Sequence, residues 1–333
     1  MNLIIPMAGR GKRLRPHTLT TPKPLIPIAG KPIVQRLVED IAKVTPEPIQ
    51  NIGFVVGHFG DEVEQKLMDI AASTGASGHI VYQEEALGTA HAVHCAKELL
   101  QSKVSVAFAD TLFRAEFTLD TEEDGIIWVK EIEDPSAFGV VKTNAEGIIT
   151  DFIEKPKEPI SNKAIIGIYY FKDGALLAHE LDYLIDNNII GGGEFQLTMA
   201  LENMKQKGTN FKTGTVSDWL DCGNKNVTVA SNARYLSLTN GEPLVHATHI
   251  KNSQIIEPVF IGAGAVIENS TIGPGVSIGA NSRISKTTIK ESLLQEYCEI
   301  EDSELSNTML GNHVKVKNYA GELSLGDYSS IGS

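Results

Sequence analysis

From about Ile255 to the C-terminus the sequence repeats, and the period limits what this segment can fold into. Apolar-led units recur as Ile261-Gly-Ala-Gly, Ile278-Gly-Ala-Asn, Leu310-Gly-Asn-His and Leu325-Gly-Asp-Tyr. Between them stand Ile267, Ile272, Ile284, Ile289, Leu294, Ile300, Leu305 and Val316, mostly five or six residues apart. Three such units make a turn of about sixteen residues, and positions 261, 278, 294, 310 and 325 mark successive turns. This hexapeptide spacing predicts a parallel β-helix, with the leading Ile, Leu or Val stacked inside each corner. Small residues and Gly are expected at the bends. A sandwich of short β-strands would leave the fixed period unexplained.

Upstream of the repeats the pattern is different. Apolar runs at 2–6, 51–57, 79–83 and 104–110 read as strands. Helical periodicity at 33–44, about 61–72 and 89–100 alternates with them. This alternation predicts an α/β fold: a Rossmann-like mixed, mostly parallel sheet covered by helices. Further strands are expected at 126–132, 138–143, 147–153, 164–171 and near 210–213, with helices around 174–186, 194–206 and 225–237. Three segments follow: 1–225, a helical connector at 226–245, and the β-helix at 246–333. Functional groups in such sheets gather at the carboxyl ends of strands. Asp110 and the loop after residue 6 are both placed there.

Charge narrows the function. The chain of 333 residues carries a formal −13. Residues 1–38 hold seven Lys/Arg and no Asp or Glu, so the other 295 residues carry −20. An acidic protein is a poor partner for nucleic acid or an anionic membrane, but a short basic island suits a small anion. No apolar stretch is long enough for a membrane span, and no secretory leader is recognisable. Cys95, Cys222 and Cys298 are far apart and odd in number, which supports neither a disulfide framework nor a zinc site. A cytoplasmic location is the expectation.

The island runs Gly9-Arg-Gly11-Lys12-Arg13-Leu14-Arg-Pro16-His-Thr18, then Pro22-Lys23-Pro24-Leu25-Ile-Pro27 and Lys31-Pro32. Gly9 and Gly11 let backbone N–H groups approach phosphate closely. Arg13 and Lys23 can supply charge to a polyphosphate. The prolines stiffen the loop. Position 14 is Leu, so the dinucleotide pattern of three glycines fails, and the Walker motif is absent too.

With its flanking segments, this loop resembles the signature of the sugar-1-phosphate nucleotidylyltransferases, also called nucleotide-sugar pyrophosphorylases. The resemblance continues through Gln83-Glu-Glu-Ala-Leu-Gly88-Thr89, Asp110, Glu154-Lys155-Pro-Lys, Gly167-Ile-Tyr, Gly193-Glu-Phe-Gln-Leu-Thr and Trp219-Leu-Asp-Cys-Gly. It covers about residues 1–225, and the repeats match long-form members that append a left-handed β-helix. Members similar to glucose-1-phosphate thymidylyltransferase or uridylyltransferase are the nearest in motif. The reaction implied is attack of a sugar-1-phosphate oxygen on the α-phosphorus of a nucleoside triphosphate, expelling pyrophosphate.

By this resemblance Arg13 and Lys23 are the catalytic cations. Ala8, Gly9, Gly11, Lys12, Gln83, Gly88 and Thr89 bind the NTP. Gly139, Glu154, Lys155 and Gly167 bind the sugar phosphate, and Asp110 and Asp221 hold Mg²⁺, a hard cation suited to carboxylate and phosphate oxygens. Those two carboxylates are 111 residues apart, so only the fold can bring them to one place. A Gln amide at 83 suits the edge of uracil or thymine. The choice between UTP and dTTP stays open, because one methyl is worth only about 1–3 kcal/mol. GTP is the alternative.

Three positions depart from the family pattern. Ile165 and Ile166 stand before Gly167, where N-acetylhexosamine users commonly place Asn, so glucose 1-phosphate is the first choice. Lys12 replaces the usual Ser or Thr, and Pro6-Met7 the usual small apolar pair. The expected partners are NTP and sugar 1-phosphate, with no nucleic acid and no membrane, and a homo-oligomer assembled through the β-helix. Two competing readings remain. One is a second, acetyl-transfer activity centred on His313, the lone His after residue 250; the other is a non-catalytic regulatory chain. The survival of Arg13, Lys23, Asp110 and Asp221 favours an enzyme. His91 and His94, three apart on a helix, are given no role.

Overall fold

The computed structural model describes residues 1–9, 11–115, 118–158, 160–239, 244–246 and 249–332. Its Cα packing divides into two compact units that interleave along the sequence. One is Met1–Gly9 with Leu37–Trp219, and the other is Arg10–Arg36 with Leu220–Ser333.

In the first unit nine strands form one sheet. β1 (Asn2–Pro6), β2 (Asn51–Val56), β3 (Ser77–Tyr82) and β4 (Val104–Ala107) lie parallel in the order β3-β2-β1-β4. Buried on both faces, β1 and β4 are apolar except for Asn2 and Ser105, as suits a central parallel strand. After β5 (Thr111–Arg114) come β6 (Gly125–Glu131), β7 (Gly139–Thr143), β8 (Ile149–Glu154) and β9 (Lys163–Phe171). β9 runs antiparallel to β4, β6 and β7, and β8 antiparallel to β7. β10 (Phe211–Thr215) returns parallel to β6, and β11 (Asp218–Asp221) follows. Parallel and antiparallel pairings are equally frequent, so the sheet is mixed rather than mostly parallel. The hairpin of β7 and β8 and the long central β9 account for this, because short links between strands leave no room for a helical crossover.

Six helices are described: α1 (Ile33–Val44), α2 (Asp61–Ser73), α3 (Thr89–Cys95), α4 (Gly174–Asp186), α5 (Leu197–Gln206) and α6 (Lys225–Leu238). The carboxylate of Asp173 accepts from Leu176 N and caps α4. Val93 of α3, Leu177 and Leu181 of α4, and Leu201 of α5 share one core with Val106, Ile127, Phe171 and Phe211 of the sheet. Burying each such Leu contributes about 2 kcal/mol. α3 stops at Cys95, and a 3-10 turn at Lys97–Leu99 completes the segment expected to be helical to 100.

In the second unit α6 starts at Asn224, whose side chain accepts from Asn226 N and Val227 N; such a cap contributes about 1 kcal/mol. The repeats then form short parallel strands in two sheets of six and eight. Register runs Ile250↔Ile267↔Ile284↔Ile300↔Val316↔Ile331 in one sheet and Ile261↔Ile278↔Leu294↔Leu310↔Leu325 in the other. From Ile267 to Val316 and from Ile261 to Leu310 these residues are the core of the stack, as the period predicts; Leu325 and Ile331 pack against it, and Ile250 at the first turn is exposed.

The bends match expectation in part: Gly264, Gly273, Gly275, Gly321 and Gly332 have positive φ, but larger residues take other bends. Asn252, Asn269, Lys286, Asp302 and Asn318 line one corner with φ between 47° and 53°, and Asn281, Tyr297, His313 and Tyr328 line another at 57–60°. Left-handed backbone at Tyr or Lys costs about 1–2 kcal/mol per residue. Ring stacking along the second corner offsets part of it. The rings of Tyr297, His313 and Tyr328 lie face to face, with centroids 4.7 and 4.8 Å apart and planes within 6°. No described helix is long and apolar enough to cross a membrane.

Candidate active site

The residues singled out in the sequence fall on both units. Gly11, Lys12, Arg13, Lys23 and Asp221 belong to the second; Ala8, Gly9, Gln83, Gly88, Thr89, Asp110, Gly139, Glu154, Lys155 and Gly167 belong to the first.

In the second unit the basic loop is a pair of 3-10 turns, Lys12–Leu14 and Lys23–Leu25. Gly11 has φ +58°, and a Cβ there would lie 2.9 Å from Lys23 Cβ and 3.1 Å from Thr18 Cγ2. Only glycine combines that backbone with that space. The Thr18 hydroxyl donates to Gly11 O at 2.8 Å, and the buried Leu14 anchors the first turn. Lys12 and Arg13 are exposed, whereas Lys23 is 8% exposed.

Arg13 and Asp221 meet across a bare glycine. A Cβ at Gly223 would lie 3.0 and 3.1 Å from the Asp221 carboxylate oxygens and 3.5 Å from Arg13 Nη2. Below them the segment is fixed: Ser231 Oγ donates to Asp221 O at 2.6 Å, Cys222 is buried, and Asn224 opens α6. The arrangement sets a fork of donors beside a carboxylate on a surface that lacks a side chain.

In the first unit β1 delivers Ala8 and Gly9. Met7 N donates to Val55 O at 2.8 Å, and a Cβ at Gly9 would meet nothing within 4 Å. Gln83 follows β3, with its N donating to Val56 O at 2.9 Å. Its side-chain Nε2 donates to Gly88 O at 3.3 Å and lies 3.1 Å from His91 Nδ1. Burial, then the neighbouring His94, lowers the pKa of His91, which favours a neutral ring beside the amide. Gln83 is thus held in orientation by His91, a residue to which the sequence reading gave no role. The signal was available: position 91 is one turn into the helix that Gly88 opens.

Two motifs far apart in sequence lock together. Phe195 N donates to Leu87 O at 2.8 Å, Ala90 N to Phe195 O at 2.9 Å, and Leu197 N to Thr89 Oγ1 at 2.9 Å. The Thr89 hydroxyl therefore accepts within this lock.

Glu154, Lys155, Gly139, Gly167 and Asp110 gather around β7, β8 and β9. A Cβ at Gly139 would stand 3.0 Å from Glu154 Oε2, so glycine leaves room for that carboxylate. Thr198 Oγ1 donates to Glu154 Oε2 at 3.4 Å, and Lys155 Nζ lies 3.7 Å from Glu154 Oε1. Lys155 has φ +44°, and its N donates to Phe138 O at 3.1 Å. Gly167, at φ +81°, breaks the register of β9 between Ile165 and Tyr169 and accepts from Phe108 N at 2.9 Å. Asp110 lies two residues beyond Phe108. Burial, then the Glu154 and Asp110 carboxylates, pushes the Tyr169 phenol well above its ordinary pKa. Tyr169 is buried as a neutral group within the field of both carboxylates, a second residue that spacing did not reveal.

Among the described residues no three His, Cys, Asp or Glu side chains form a metal-binding group. Any ion at Asp110 or Asp221 would draw most of its ligands from outside the protein. The imidazole of His313, weighed above as an acyl-transfer group, is stacked between Tyr297 and Tyr328.

Residues 3–237 match the nucleotidyl transferase family. The chain belongs to that family. A glucose-1-phosphate thymidylyltransferase of Streptomyces antibioticus is 28% identical to this nucleotidyltransferase over 99% of each chain. A low-salt glycan biosynthesis nucleotidyltransferase of Haloferax volcanii is 31% identical over 66% of this chain and 61% of its own length. Among solved structures, UDP-glucose pyrophosphorylase in complex with UDP-glucose aligns with TM-score 0.58 at 23% identity, over 72% of this chain and 99% of that one. A Vibrio cholerae nucleoside-diphosphate-sugar pyrophosphorylase aligns with TM-score 0.60 at 20% identity, over 69% and 99%. At these identities the two structures establish a shared fold.

Proposed function

We propose that this nucleotidyltransferase joins glucose 1-phosphate to a pyrimidine triphosphate, dTTP or UTP, and releases pyrophosphate. The observation that carries the reading is Arg13 held beside Asp221 across Gly223, on the loop that also presents Lys23. Full-length similarity to a glucose-1-phosphate thymidylyltransferase supports the choice of sugar and base.

The chemistry brings two anions together, so cations must do most of the work. The nucleophile is an ionised phosphate oxygen and needs no general base. It attacks the α-phosphorus; a P–O bond forms, the α–β bridge breaks, and the electron pair leaves on pyrophosphate. Arg13 binds the departing β- and γ-phosphates with its planar fork. Lys23 stands by the α-phosphate, where negative charge develops, and its partial burial strengthens that interaction. Gln83, oriented by His91, reads the pyrimidine edge. Gly11, Gly9 and Ala8 offer backbone to the phosphates, Lys12 adds charge, and Gly88 and Thr89 shape the base pocket. Lys155 binds the sugar phosphate, Glu154 the sugar hydroxyls, and Gly139 and Gly167 the room they occupy.

Asp110 and Asp221 are hard oxygen donors, two in number, and so fit Mg²⁺ carried in by phosphate better than a closed protein cage. When bound, the ion would neutralise phosphate charge. The strand stack is inferred to be a left-handed β-helix at 246–333, after a catalytic segment at 1–225 and the connector at 226–245. The parallel register supports it. The exposed Tyr297 and Tyr328 support its use as a homo-oligomer contact. Cys95, Cys222 and Cys298 form no disulfide, which fits a cytoplasmic enzyme.

A pyrophosphate-release assay with Mg²⁺ tests the reading, using dTTP, UTP and GTP against glucose, mannose and N-acetylglucosamine 1-phosphates. The highest kcat/KM is expected for glucose 1-phosphate with dTTP or UTP. A preference for GTP or for the N-acetyl sugar would overturn the assignment of Gln83 or of Ile165–Ile166.

A further inference from the structure

The phosphate loop packs with the C-terminal repeats: residues Arg10–Arg36 form one compact unit with Leu220–Ser333. The contacts are specific. His17, 1% exposed, has its Nε2 3.1 Å from Ser324 Oγ. Thr20 Oγ1 donates to Asp327 Oδ2 at 2.8 Å. Pro16 covers Gly326, where a Cβ would come within 3.0 Å of the proline ring. Asp327 is itself held, because its Oδ1 accepts from Asn312 N at 2.8 Å. All three contacts use the last repeat.

A second clamp grips the other end of the loop. Ala29 N donates to Asn232 Oδ1 at 3.0 Å, and that oxygen also accepts from Ser277 Oγ at 2.7 Å. Gly30 faces Phe260 so closely that a Cβ would overlap its ring. Between the clamps lies Lys23, and Arg13 lies just ahead of the first.

We propose that the last repeat is a positioning device for the triphosphate loop, with Ser324 and Asp327 acting through His17 and Thr20 to hold Arg13 and Lys23 in place for NTP. This rests on the reading of Arg13 and Lys23 as NTP-binding residues. Loop residues between helix and sheet would otherwise lose their freedom only on binding, and that ordering weakens affinity. The clamps order the loop beforehand. The repeats therefore act on the nucleotide side of the reaction, in addition to any role in assembly.

Thr20→Val removes the hydroxyl while keeping the shape, Thr20→Ser returns it, and Asp327→Ala removes the acceptor. For each, KM for dTTP and UTP, KM for glucose 1-phosphate and the thermal midpoint are measured on the full chain. Thr20→Val and Asp327→Ala are expected to raise the NTP KM about three- to tenfold, the scale of one solvent-exposed hydrogen bond. The sugar-phosphate KM should stay at its wild-type value in both, the thermal midpoint should stay at wild type in Thr20→Val, and Thr20→Ser should restore the NTP KM. The double variant should bind NTP no worse than Asp327→Ala alone, because that substitution already removes the Thr20 bond. Wild-type NTP KM in both single variants would overturn the proposal and leave the function standing. So would equal rises for both substrates with a lowered midpoint. No NTP turnover by the wild-type protein would overturn the functional reading, and the proposal with it.

Discussion

The backbone of Phe195 passes so close to Gly88 that a Cβ at position 88 would lie 2.5 Å from the Phe195 carbonyl oxygen. Gly88 also has φ +119°, a conformation that L side chains rarely adopt. Gly88→Ala therefore meets backbone that cannot rotate away. It is expected to lower stability by about 1–3 kcal/mol and to separate the base-side loop from the 193–198 segment. Urea unfolding and the KM for dTTP check both effects, which should appear together.

Gly223 poses a milder version of the same problem. A methyl group there would press on the Asp221 carboxylate at 3.0 Å and approach Arg13 at 3.5 Å, and both can shift by a few tenths of an ångström. Gly223→Ala is expected to fold normally and to lose about tenfold or more in kcat, because small misplacements of charged groups are costly in phosphoryl transfer. Normal kcat with normal stability would mean that Arg13 and Asp221 do not act as a pair.

Chelation separates a substrate-borne ion from a structural one. No described group of three ligands would hold a metal without substrate. EDTA should abolish turnover and leave the thermal midpoint of the substrate-free protein unchanged. Mg²⁺ should restore turnover.

His17 gives the fold a pH dependence of calculable sign. Burial, opposed by Asp327 and assisted by Lys225, lowers its pKa from 6.5 to about 4. The native state keeps the ring neutral, while the unfolded chain takes up a proton below pH 6.5. The contribution is thus fully present above pH 6.5 and lost as pH falls towards 4. At about 1.4 kcal/mol per pH unit the total is about 3 kcal/mol. Unfolding free energies at pH 7 and 4.5 should show the wild-type protein losing about 2 kcal/mol more than His17→Gln. Equal losses would mean that His17 is protonated in the fold.

The sequence carried the local information well and the long-range information poorly. Val34, Leu37, Val38 and Ile41 marked α1 because helical periodicity depends only on neighbours a few residues apart. The stack of Ile261, Ile278, Leu294, Leu310 and Leu325 was legible because a repeat shows its own register. The short strand β5 was not, since only Phe108 to Asp110 separate it from β4. The pairing of His91 with Gln83, and the burial of Tyr169 in the field of Glu154 and Asp110, were hidden for another reason: tertiary packing alone makes those neighbours. Tyr297 and His313 occupy left-handed corners that their residue types disfavour, and ring stacking offsets part of that local cost. The grouping of His17 and Thr20 with Ser324 and Asp327 spans most of the chain and left no trace in either segment.

The central claim is that Arg13, Lys23, Asp110 and Asp221 serve one transfer of a nucleotidyl group to a sugar phosphate. Phosphorus NMR of dTTP, glucose 1-phosphate, Mg²⁺ and enzyme tests it most directly. The wild-type protein should yield one pyrophosphate per nucleoside-diphosphate glucose, and folded Asp110→Asn and Asp221→Asn should each be slower by about 10²-fold or more. Carboxamide variants as fast as wild type, or no diphosphate sugar from dTTP or UTP, would contradict it.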